Sequence, residues 1–76
     1  MDTEGRSLSA LVKEIRRQLS LSQEDLARQL GVSYATVNRW ENGLSKPSKL
    51  AKAQLESFCK KMTGQGKLTL PEGEHR

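Results

Sequence analysis

Cysteine, histidine and aromatic residues are nearly missing from this chain, which holds one cysteine (Cys59), one histidine (His75) and one each of Trp, Tyr and Phe. A lone cysteine forms no internal disulfide, so the chain reads as intracellular and reduced. With the histidine more than a dozen positions away, neither a zinc ligand set nor a histidine-activated nucleophile can be assembled. Long apolar runs are missing too. The longest is Ala10 to Val12, and the opening Met-Asp-Thr-Glu has no basic stretch, so neither a secretory leader nor a membrane span is expected. Enzymatic activity is not expected, and no cofactor or metal is implied.

What remains is short and basic. Seventy-six residues, 34% of them apolar, allow one domain. The net charge of +4 is unevenly placed: Arg6 to Lys67 holds twelve basic residues against five acidic ones, a net +7, while the two ends sum to −3. Such a middle segment is attracted to polyanions, with nucleic acid ahead of an anionic membrane because nothing in the chain would anchor in lipid. Charge alone is weak evidence, since many small basic domains only wear a solvated positive face.

Apolar periodicity describes helices. Leu8, Leu11, Val12, Ile15 and Leu19 form one stripe on a helix from about Ser7 to Leu19. Ser22 caps a second helix whose first turn, Gln23 to Asp25, resembles a capping box; Leu26, Ala27 and Leu30 are its buried face, and Gly31 ends it. After Gly31 and Val32, Ser33 caps a third helix reaching Glu41 or Asn42 before Gly43. Ser48 caps a fourth, running to about Met62 and lined by Ala51, Leu55, Phe58, Cys59 and Met62, with Gly64 and Gly66 terminating it. The expected organisation is a flexible arm at 1–6, a domain at 7–63 and a flexible tail or linker at 64–76, with a short strand around Leu68 and Leu70 as the lesser option.

Gln23 to Glu41 carries the most information. Leu26, Ala27, Leu30, Val32, Val37 and Trp40 fall where two steeply crossed helices turn inward, with small Ala27 at the close approach and Gly31 at the reversal. On the third helix, Ser33, Val37 and Trp40 share one face, and Ala35, Asn38, Arg39 and Asn42 cluster on the opposite one. Trp40 beside Val37 reads as a core anchor, and Cys59 as a small core hydrophobe. The outward group has the chemistry of a reading helix. Arg can grip guanine O6 and N7, Asn can pair with adenine, and the Ala methyl can touch thymine; Tyr34 sits at the exposed first turn.

The segment Ser-Gln-Glu-Asp-Leu-Ala-Arg-Gln-Leu-Gly-Val-Ser, followed by Trp-Glu-Asn-Gly, resembles the helix-turn-helix family of phage repressors, Cro proteins and XRE-type regulators, from Ser7 to about Met62. The resemblance implies an all-α, lambda-repressor-like bundle of four short helices around a central helix-turn-helix, with a short fifth element as an option. It implies that Tyr34, Ala35 and Arg39 face bases, with Thr36 and Asn38 contributing, and that Gln23, Ser33, Asn42 and Gly43 meet phosphate. Lys46 and Lys49, just beyond, add charge. Glu41 would repel phosphate, and the resemblance pairs it with Arg16 as a brace.

The expected function is sequence-specific binding of double-stranded DNA, repressing transcription from the cytoplasm and the nucleoid, as a homodimer on two half-sites. The family's fifth, dimer-forming helix has no counterpart in the pattern after Met62. Two other readings stand beside this one: an antitoxin whose partner is a toxin, and an adaptor that binds another protein through the same fold.

Overall fold

The computed structural model describes residues 4–69, with side chains from Leu8 onward. Its elements are α1 (Glu4–Leu19), α2 (Gln23–Leu30), α3 (Tyr34–Glu41) and α4 (Lys49–Gly64), and no strand occurs among the described residues. The protein is an all-α bundle in which α3 packs on α1 and α2, and α2 packs on α4.

Local chemistry sets the boundaries. At the start of α2, the Ser22 hydroxyl accepts from the Asp25 amide at 2.9 Å and the Asp25 carboxylate accepts from the Ser22 amide at 3.2 Å, closing a capping box. Ser33 and Ser48 cap α3 and α4 by accepting from the amides of Thr36 and Ala51. Gly31 ends α2 at φ 74°, where the Val32 amide reaches back to the Ala27 carbonyl at 3.0 Å. Nothing lies within 4 Å of a methyl placed on Gly31, so a side chain there would meet backbone strain only, at a cost of about 1 kcal/mol. The turn between α1 and α2 is made without glycine: Ser20 itself adopts φ 56°.

Val12 and Ile15 of α1, Leu26, Ala27 and Leu30 of α2, Val37 and Trp40 of α3, and Ala51, Leu55 and Phe58 of α4 are buried together as one core. Cys59 and Met62 are half-buried against it. Burial pushes the Cys59 thiol up to about 11, with Glu56 adding to the effect, so it is not a reactive thiolate at neutral pH.

Two boundaries differ from the sequence reading. The first helix begins at Glu4, so residues 4–6 are helical and not part of an arm; residues 1–3 lie outside the described residues. Glu4, Gly5 and Arg6 are not apolar residues, so the periodic stripe that marked the start at Ser7 does not announce them. Extending an existing helix, however, needs only residues that tolerate the conformation. The larger correction is at the other end. Gly64 closes α4 instead of following it, and the chain from 65 to 69 is docked, not a free tail.

Leu68 is 2% exposed and belongs to the core. Beside it, Gln18 of α1 clasps the Thr69 backbone from both ends of its amide: Oε1 accepts from the Thr69 amide at 2.8 Å and Nε2 donates to the Thr69 carbonyl at 2.9 Å. The same Nε2 donates to Glu14, whose carboxyl is held down to about 2, chiefly by Arg17 and then by Gln18. Two leucines in alternation, cut off by Pro71 and Gly73, are too short a pattern to mark a docked segment, which is why the sequence after Met62 reads as tail. The strand suggested for Leu68 and Leu70 is absent as far as Thr69, and Leu70 lies outside the described residues. We expect Leu68→Ala to lower unfolding free energy by about 2 to 4 kcal/mol, read from urea denaturation. A loss below about 0.5 kcal/mol would show that the segment is a bystander.

Candidate nucleic-acid interface

One side of α3 is built into the protein and the other faces out. Val37, Trp40 and Glu41 are buried, while Tyr34 (52% exposed), Ala35 and Arg39 are open to solvent. Arg39 makes no ion pair among the described residues, so its guanidinium keeps its full set of donors. The first turn of α3 contains no acidic residue, and its leading N–H groups present the positive end of the helix dipole beside Tyr34 and Ala35. α4 likewise has no acid in its first turn, where Lys49 is exposed; Lys46 is exposed in the preceding loop.

Behind that face lies a continuous chain of polar contacts. Arg16 of α1 grips Glu41 with two parallel bonds, Nε to Oε2 at 2.6 Å and Nη2 to Oε1 at 3.0 Å, and donates through Nη1 to the Leu21 carbonyl at 3.2 Å. Ser9 donates its hydroxyl to the Glu41 carbonyl at 2.5 Å. Burial raises the Glu41 carboxyl, but the hydrogen bonds from Arg16 and Gln23 and the charges of Arg16 and Lys13 outweigh it, leaving the group below the ordinary carboxylate range. Glu41 is thus an ionised brace joining α1 to the end of α3. It is 5% exposed and does not act as an acid on the surface.

The chain of contacts continues outward. Gln23 donates Nε2 to Glu41 Oε1 at 2.9 Å and accepts at Oε1 from Asn38 Nδ2 at 3.2 Å. Asn42 donates Nδ2 to the Asn38 carbonyl at 2.9 Å and to Asn38 Oδ1 at 3.1 Å.

These bonds sort the residues expected at a DNA surface. Tyr34, Ala35 and Arg39 lie together on the exposed strip. Ser33 is exposed at the cap and does not share the buried face with Val37 and Trp40; its hydroxyl is engaged with the Thr36 amide and hydroxyl, and Thr36 is half-buried. Asn38 is half-buried and turned toward Gln23 instead of standing on the outward face. The amides of Asn42 and Gly43 donate to the carbonyls of Asn38 and Trp40, so these two residues reach phosphate only by exchanging internal bonds. Ala27 is buried in α2 as part of the core.

Sequence reasoning missed Ser9 and Lys13. They stand four and three residues apart from each other and from Arg16 along α1, and that polar strip facing Glu41 was the available signal. It also missed that Gln23, Asn38 and Asn42 form one network.

The helix-turn-helix family model matches residues 12–53, more than half of the chain. A Type II methyltransferase M1.ScrFI of Lactococcus lactis subsp. cremoris is 41% identical over 49 residues, which is 60% of this chain. The chain spans only 13% of that relative's length. No solved structure matches.

Proposed function

We propose, from the premise that the chain belongs to the helix-turn-helix family of XRE-type DNA-binding regulators, that it reads double-stranded DNA by laying α3 in the major groove and represses transcription by occupying an operator. The observation that supports this best is the division of α3 into a fully buried face and an exposed strip holding Ala35, Tyr34 and an uncommitted Arg39. Ala35 keeps the strip low enough for close approach. Arg39 is the two-donor group that fits guanine, and Tyr34 and Thr36 flank them. Phosphate contacts fall to the N-terminus of α3 at Ser33, to Gln23, and to Lys46 and Lys49; Asn42 and Gly43 join once their internal bonds exchange.

A reading head of this size covers few base pairs, so we propose a homodimer on half-sites about 34 Å apart, working in the cytoplasm at the nucleoid. The segment shared with the methyltransferase is read as a binding element, and no methyl transfer or other catalysis is proposed. The antitoxin and adaptor readings add a protein partner to the same fold.

The test is binding to duplexes selected from a random pool, followed over a range of salt. Log K is expected to fall by about 0.9 for each phosphate neutralised per decade of salt. Arg39→Ala should cost about 1 to 3 kcal/mol on the preferred site and relax preference at one base pair. A protein that selects no sequence, with affinity unmoved by salt and by this substitution, would rule the reading out and leave a protein partner as the function.

A further inference from the structure

Asn38 has the side chain of an adenine reader without its freedom. Pairing with adenine turns both ends of the amide, oxygen and nitrogen, into the groove together. Here the plane of the Asn38 amide is fixed from two sides, by Gln23 Oε1 at 3.2 Å and by Asn42 Nδ2 at 3.1 Å, and turning it toward a base would forfeit both bonds.

Gln23 is the residue this arrangement serves. Its Oε1 is held by Asn38 and one Nε2 proton is given to Glu41, which Arg16 anchors in turn; a single Nε2 proton is left over. Without Asn38 the Gln23 oxygen loses its partner, and the amide is held from one side only, by its bond to Glu41. With Asn38 in place, the direction of the spare proton is set from the core outward.

Resting on the reading that α3 enters the groove, we infer that Asn38 is a positioning residue: it acts on DNA through Gln23, holding that amide with its spare proton for a backbone phosphate, and does not read a base. The contact is neutral, so it contributes affinity equally on all sequences and releases no counterion.

The experiment compares wild type, Asn38→Ala, Gln23→Ala and the double variant, with Arg39→Ala as the base-reading reference, all checked for folding by circular dichroism. Each of the first two single variants is expected to weaken binding about 5- to 10-fold, the size of one lost hydrogen bond. The double variant should be no weaker than Gln23→Ala by more than about 2-fold, since both changes remove one contact. The sequence that Asn38→Ala selects from a random pool should match the wild type at every base pair, and its salt slope should be unchanged. In the DNA-free protein, the Gln23 side-chain amide signals of nitrogen-labelled protein should shift in Asn38→Ala. Asn38→Ser, which keeps a short donor, serves as a second variant should the alanine protein fail to fold, with the same selected sequence expected.

Relaxed preference at one base pair in Asn38→Ala, or losses that multiply in the double variant, would overturn the inference. An unmoved Gln23 amide signal would do so without any DNA. A wild type that bound no duplex would instead overturn the DNA reading itself, with the Gln23 signal still reporting whether the clamp exists.

Discussion

Trp40→Ala should remove a large share of the protein's folding stability. The indole is the largest fully buried side chain in the molecule, on the inner face of α3 with Val37. Emptying such a site costs about 3 to 5 kcal/mol through lost transfer energy and the cavity left behind. A chain of this length holds only about 4 to 11 kcal/mol in total, so about half of a mid-range reserve goes with one residue, and at the low end of the range the fold goes with it. Far-UV circular dichroism during urea titration measures it. In the wild type, fluorescence of the single tryptophan should report a buried indole and shift to the red on unfolding. Loss of less than about 1 kcal/mol in the alanine variant would mean that α3 is not held by its inner face. In that case the division of the helix, on which the DNA reading leans, would fail too.

The second large effect is Arg16→Met, and its dependence on pH separates it from a simple packing loss. Glu41 is buried and ionised because Arg16 and Gln23 compensate its desolvation. Removing the arginine leaves a buried carboxylate facing one amide and the more distant Lys13, a change expected to cost about 3 kcal/mol at neutral pH. The partial exposure of Arg16, 27%, places the figure at the low end.

The sign of the pH dependence follows from the direction of the shift. In the wild type the folded carboxyl lies below its unfolded value, so its contribution is present above the unfolded value and is lost as pH falls through the folded one. In Arg16→Met the burial that opposes ionisation loses its main counterweight, and the folded value is expected to rise above the unfolded one. Neutralising Glu41 then relieves the variant, so the stability gap should start to narrow while pH is still above the unfolded carboxylate value of about 4, and narrow further below it as the wild type loses its own contribution. Urea midpoints for both proteins at neutral and acidic pH measure that gap. A gap that stays constant would show that Arg16 contributes through the packing of its stem.

Helix existence, the caps Ser22, Ser33 and Ser48, the turn at Gly31 and most of the core were legible in the sequence because each rests on contacts within a few residues. The same locality explains the misses. Ser20 takes a left-handed backbone with no glycine to announce it. Leu68 is a core residue whose partners lie across the fold, and its one alternation, with Leu70, is cut off by Pro71 before it can mark an element. The candidate site was legible as composition and not as commitment. Asn38 and Arg39 are neighbours with equally suitable chemistry for bases, and only the placement of Gln23 fifteen residues earlier shows that one is held and the other free.

The clasp between Gln18 and Thr69 also bears on the time course of folding. Its partners are 51 residues apart, so the loop they close is among the longest in the structure, whereas α2 and α3 meet across a three-residue turn. Long loops lose more chain entropy before their contacts form, which puts the docking of Leu68 late, after the crossed helices have assembled. Contacts made after the barrier hold the native state back from unfolding without hastening its formation. Weakening the clasp should therefore shorten the lifetime of the folded domain while its refolding rate stays nearly constant. The segment after α4 works as a latch on an already assembled head.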